Sequence, residues 1–156
     1  MAKLSINELG SGYTHAFKFD YLDLQQTGFL SNLGAANQHQ IGWLPAGGEI
    51  DKVVVINTVA EAGSTTLTLD VGVTAADPDE FIDNLDLDGL TKATTNTGDA
   101  FVTTGATVTI GGYINNTATG TAILMEVNPV DATGVTALTA GEWVIAWRQS
   151  DIASLA

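Results

Sequence analysis

Residues 50–90 read IDKVVVINTVAEAGSTTLTLDVGVTAADPDEFIDNLDLDGL, and this stretch decides the fold class. Lys52 to Val59 is a dense run of β-branched residues. Thr65 to Val73 alternates, with Leu67, Leu69, Val71 and Val73 on one face and Thr66, Thr68 and Asp70 on the other. Alternation with a period of two places one face of a strand in a core. Ala62-Gly63-Ser64 between the runs supplies turn residues, so the two strands are predicted to pair as a hairpin. Asp77-Pro78, with Glu80 three residues after Asp77, reads as a capping box at a helix start. Phe81, Ile82 and Leu85 would give that helix an apolar side, so one short helix is predicted near 78–85.

Working outward, Tyr13 to Asp23 alternates as a strand with an aromatic face of Tyr13, His15, Phe17, Phe19 and Tyr21. Core packing is the plain explanation of that stripe. Gln25 to Gln38 reads as a loop, and Gln40 to Leu44 as a short strand stopped by Pro45. Residues 89–105 read as a long surface loop with a short strand at Ala100 to Thr103. Thr107 to Tyr113 and Thr121 to Asn128 read as a strand and its return across the turn Asn115 to Gly120. The last strand, Glu142 to Gln149, has Trp143, Ile145 and Trp147 on one face. About eight short strands separated by turn signals predict an all-β, two-sheet β-sandwich of jelly-roll type.

The 156 residues suit a single domain, which the pattern places over 13–156. Residues 1–12 carry no core pattern, end in Gly10-Ser11-Gly12, and read as an N-terminal arm. Met1 to Ser5 lacks the apolar core of a secretory signal. The absence of cysteine removes disulfides and thiolate metal sites. Eighteen acidic residues against five basic ones give a formal charge of −13, a surface that repels nucleic acid and anionic membranes. The cations Lys3, Lys18, Lys52, Lys92 and Arg148 form no cluster in sequence, which also disfavours nucleic-acid binding.

Signatures of catalysis are missing. His15 and His39 fall in no metal-ligand spacing, and no nucleophile elbow, phosphate loop or dinucleotide fingerprint occurs. Asp77 and Asp79 flank a proline at a predicted helix start, where carboxylates serve capping. The expectation is a protein that is not an enzyme and holds no cofactor. The one metal candidate is Asn84-Leu85-Asp86-Leu87-Asp88-Gly89, which follows the first half of a calcium loop. Its first position is Asn, and position 12 falls on Thr95 instead of the closing Glu. Asp83, Asp86 and Asp88 remain a weak calcium candidate. The plainer reading is acids alternating with Leu85 and Leu87 on a strand edge.

The segment from Leu67 to Leu87 resembles a pattern in small virion proteins of tailed bacteriophages. There a strand ending in a Leu-x-(Ile/Val)-Gly phrase, here Leu69 to Gly72, runs into an Asp-rich turn, a short helix and an Asp-Leu strand. A Thr/Val-rich strand pair follows, here Val108-Thr109-Ile110 and Ile123 to Val127 across Thr117 to Ala122, and then a final strand, here Trp143 to Trp147. The resemblance covers roughly residues 50–148, and the first 45 residues have no counterpart. It implies a structural, non-catalytic virion protein of the capsid decoration (cement) type. Such a protein would bind the major capsid protein on the outer surface, stabilise the head, and form a homo-oligomer, with a trimer favoured. It would be made in the host cytoplasm. The alternative is a carbohydrate- or calcium-binding sandwich module of a tail or fibre, supported by Trp43, Trp143, Trp147 and the Asp-rich segment.

Overall fold

The computed structural model describes residues 12–26, 38–63, 67–88, 93–95, 112–129 and 134–151. In chain order the elements are β1 (His15–Asp20), α1 (Tyr21–Gln25), β2 (Gln38–Leu44), β3 (Gly48–Ala62), β4 (Leu67–Gly72), β5 (Ile82–Asp86), β6 (Ala93–Thr95), β7 (Tyr113–Ile114), β8 (Thr121–Pro129) and β9 (Ala140–Asp151). A 3₁₀ turn spans Gly134–Ala137. The first sheet runs β1-β9-β3-β6, with β7 also paired to β3, and the second runs β2-β8-β4-β5. All pairings are antiparallel. The predicted all-β sandwich is therefore the fold. Its pairs are nested, β4 with β5, β3 with β6, β2 with β8 and β1 with β9, as in a long ribbon wound into two sheets. That is the jelly-roll form of the sandwich.

The core lies between the inner faces that alternation assigned. Val53 and Val55 of β3, Leu67, Leu69 and Val71 of β4, Ile123, Met125 and Val127 of β8, and Trp143, Ile145 and Trp147 of β9 are all buried in it. Phe19 stacks on Trp143 with ring centroids 5.4 Å apart, and His15 stacks on Trp147 at 5.3 Å. Phe17 meets His39 across the gap between β1 and β2 at 5.4 Å. The aromatic stripe is thus a packing feature. Tyr13 departs from it, because the strand starts only at His15. Its ring lies instead against Val54, Val144 and Ala146 on the outer side of the first sheet.

Four expectations are corrected. The runs at 52–59 and 65–73 do not form a hairpin. β3 is flanked by β9 on one side and by β6 and β7 on the other, and β4 crosses to the second sheet. The same holds for the predicted return across Asn115 to Gly120, since β7 pairs with β3 while β8 pairs with β2 and β4. The segment near 78–85 is not a helix: Ile82–Asp86 is the strand β5, edge-paired to β4. The Glu80 carboxylate accepts from the backbone N–H groups of Val73 and Thr74 and from the Thr74 hydroxyl, closing the 73–80 loop instead of capping a helix. Phe81 then donates to the Val71 carbonyl, and the ladder begins. Finally, the first strand stops at Asp20, and the one α-helix among the described residues follows it. Asp20 and Asp23 exchange side-chain-to-backbone bonds as a capping box, and Leu24 is buried. The predicted strand at Ala100 to Thr103, residues 107–111 and the arm over 1–11 lie outside the described residues.

Candidate interaction surface

The two outer faces of the sandwich differ in chemistry. On the first sheet, Lys18, Lys52 and Arg148 surround an apolar strip of Val54, Val144 and Ala146. Each cation has a contact there. Lys18 pairs with Glu142 at 2.7 Å, Arg148 pairs with Asp51, and Lys52 sits 4.4 Å from the centre of the Tyr13 ring. The Lys18 ammonium, helped by the Thr58 hydroxyl, holds the Glu142 carboxyl below the usual range. Arg148 does the same for Asp51. These three are all the cations among the described residues.

The second sheet turns a different surface outward. Antiparallel register places Gln38 opposite Glu126, and Glu126 opposite Asp70. Asp70 and Glu126 are thus like charges on directly opposed positions, an arrangement that destabilises a sheet. Their partners are amides. Gln38 Nε2 donates to Glu126 at 2.7 Å, Asn128 Nδ2 to Asp70 at 2.9 Å, and the Asn84 N–H to the other Asp70 oxygen. Asn84 itself takes a left-handed backbone, φ 46°, at the irregularity between β4 and β5. Burial pushes the Asp70 carboxyl up to about 6, with Glu126 and Asp83 adding to the rise and the Asn84 N–H and Asn128 amide opposing it.

The sign of that shift fixes a pH dependence. A carboxyl raised in the folded state binds its proton more tightly there than in the unfolded chain. Its stabilising effect is present at low pH and is lost as pH rises through about 6. Asp70→Asn removes this loss and keeps the shape. The stability difference between variant and parent should therefore grow in the variant's favour by about 1–2 kcal/mol from pH 4 to pH 8. Urea titrations at the two pH values check this, and a difference independent of pH would contradict it.

Along the same face, about two strand residues apart on β8, stand Glu126, Leu124 and Ala122. Trp43 of β2 pairs with Ala122 and is 54% exposed. Its indole lies directly on the backbone of Gly120. A Cβ there would come within 2.2 Å of Trp43 Nε1, so Gly is required at 120 for this seat. The Gln149 amide donates to the Trp43 carbonyl from the other sheet. Trp43 is thus a large aromatic exposed on the surface, with its indole seated on Gly120.

The residues singled out from sequence fall as follows. Trp143 and Trp147 are buried, so of the three tryptophans only Trp43 is presented to solvent. Asp83, Asp86 and Asp88 do not converge. Asp83 accepts from Asn84 Nδ2, and Asp86 turns back to the Asp88 N–H. Among the described residues no three acids or histidines are grouped as metal ligands would be. His15 is bonded to the Thr14 hydroxyl at 2.8 Å, and packing against Trp147 lowers its pKa by desolvation. Asp77 and Asp79 lie in the 73–80 loop. The opposed Asp70 and Glu126 were not singled out in the sequence. Alternation assigns each to an outer face, but only strand order brings them together.

No protein-family model matches the chain, and no curated protein matches its sequence. Among solved structures, it is similar to a chain of the cyanophage Pam1 capsid asymmetric unit. The two are 17% identical with a TM-score of 0.54, and the match covers 95% of this chain and 91% of that one. At that identity the likeness is one of fold.

Proposed function

We propose that this chain is a structural protein of a bacteriophage virion that binds the outer surface of the capsid and reinforces it. The observation that carries this reading is the likeness, over nearly the full length of both chains, to a chain of a phage capsid asymmetric unit. Fold alone does not set function. The surface chemistry supports the reading independently. A net charge of −13 keeps the protein away from packaged nucleic acid and suits the outside of a shell. The role proposed is structural rather than catalytic. A trimer placed where shell subunits meet would engage several of them at once, and linked contacts raise avidity by roughly 10²–10⁴.

The test uses heads assembled without the protein. Full-length protein should co-sediment with them and raise the temperature of heat-induced genome release, since a ligand that prefers the assembled shell stabilises it by mass action. A version starting at Tyr13 should fold normally yet bind less, which assigns the arm over 1–12 a part in docking. Full-length protein that stays in the supernatant would refute the decoration reading.

A further inference from the structure

We propose that the outer face of the β2-β8-β4-β5 sheet is a docking face for a basic protein surface, with Trp43 as its apolar anchor. The proposal rests on the virion reading, in which that surface belongs to the shell protein.

Two independent features of the face lead here. The first is Trp43. A large aromatic exposed on a monomer costs solubility, yet this one is seated against the backbone of Gly120, with Gln149 bonding its main-chain carbonyl, so part of its side-chain freedom is already lost before binding. Rigid tryptophans of this kind dominate the energetics of protein interfaces. The second is the opposition of Asp70 and Glu126. Like charges across a ladder cost stability, and Gln38 holds the half-buried Glu126 carboxylate opposite Asp70, which is buried with its two oxygens bonded to Asn84 and Asn128. A locally unfavourable arrangement that is carefully braced is a mark of function. An incoming ammonium or guanidinium on the half-buried Glu126 supplies the missing charge.

Charge complementarity also selects the occupant. A second copy of this chain would bring either the same acidic face or the first sheet, whose described cations already have partners. Nucleic acid brings more negative charge. A protein presenting Lys or Arg fits both Glu126 and the anchor.

Glu126→Lys is the decisive variant, because it separates folding from binding. It replaces a like-charged cross-strand pair with an opposite one, so its melting temperature should equal or exceed that of the parent. Its binding to heads assembled without the protein should nevertheless fall on the order of tenfold or more. Trp43→Ala should weaken binding on a similar scale. Glu49→Lys makes the same charge change on the opposite sheet and should bind within about threefold of the parent. If either Glu126→Lys or Trp43→Ala binds as the parent does, while the parent sediments with heads, the docking face is wrong and the capsid reading stands. If the parent itself fails to sediment, both fall.

Discussion

Trp143→Ala should lower stability by roughly 3–5 kcal/mol, the largest single-residue effect expected in this protein. Trp143 is fully buried near the start of β9. It faces Phe19 of β1 on one side and Asn57 of β3 on the other in the strand register, and its ring stacks on Phe19 at 5.4 Å. Its six-membered ring lies over the backbone of Gly141, which takes φ 139°, and a Cβ there would come within 2.3 Å of Trp143 Cη2. Truncation to alanine would therefore open a cavity bounded by main chain and an aromatic ring, neither of which collapses easily. Total stability for a domain of this size is about 5–15 kcal/mol, so a large share would be lost. The melting temperature should fall by about 2–4 °C for each kcal/mol. Trp143→Phe gives an internal control. Among the described residues the indole Nε1 has no hydrogen-bond partner, so phenylalanine forfeits packing rather than a bond and should cost only about 1–2 kcal/mol. Urea unfolding of the two variants tests the pair. An alanine variant as stable as the parent would put Trp143 outside the core and restore it as a candidate sugar platform.

That buried face was legible from sequence because alternation reports which side of a strand faces apolar surroundings. Trp143, Ile145 and Trp147, and likewise Leu67, Leu69 and Val71, were assigned correctly on that basis. Alternation does not say which sheet a strand joins. In a sandwich both inner faces meet in one core, so a chain that turns back within a sheet and one that crosses to the other sheet bury the same residues. Hence Ala62-Gly63 looked like a hairpin turn while it carries the chain across the core, and so does Asn115 to Gly120. The segment 78–85 failed for a different reason. Pro78 and Glu80 satisfy the local rules of a helix start, but Glu80 spends its oxygens on the turn at Val73 and Thr74. The unpaired edge of β4 then takes Ile82–Asp86 as a strand. The candidate surface needed this long-range information most, since Asp70 and Glu126 lie 56 positions apart and meet only through the pairing of β4 with β8.

Asn115→Ala should cost about 3 kcal/mol, although Asn115 lies in a stretch that sequence reads as an ordinary polar turn. The residue is fully buried. Its Nδ2 donates towards the carbonyls of Leu44, Pro45 and Thr119 at 3.1–3.2 Å, and its Oδ1 accepts from the Thr117 N–H and hydroxyl. Its backbone closes the same corner, bonding to Gly47 and Gly48 at 2.9 Å. One side chain thus joins the end of β2, the turn into β3 and the loop that leads from β7 to β8. Alanine would remove the Nδ2 donor from the buried Leu44 carbonyl and the Oδ1 acceptor from Thr117, while the Pro45 and Thr119 carbonyls keep the Gly48 N–H and the Thr117 hydroxyl, and each buried loss costs about 1–3 kcal/mol. Asn115→Asp is the more telling change. It has the same shape but turns an acceptor towards those carbonyls, which disfavours the charged form. The carboxyl would be raised in the folded state, so this variant should regain stability as pH falls, whereas the alanine variant should lose about the same amount at every pH. The corner also carries the anchor of the proposed docking face. Trp43 immediately precedes Leu44, and Gly120, on which it rests, immediately follows Thr119, so both ends of its seat are tied by Asn115. Loosening the tie should increase quenching of tryptophan fluorescence by acrylamide, because Trp43 is the exposed indole. It should also weaken binding to heads by reducing the rigidity of the anchor. If Asn115→Ala is as stable as the parent and shows unchanged quenching, the backbone bonds alone hold the corner and the anchor is not seated by Asn115.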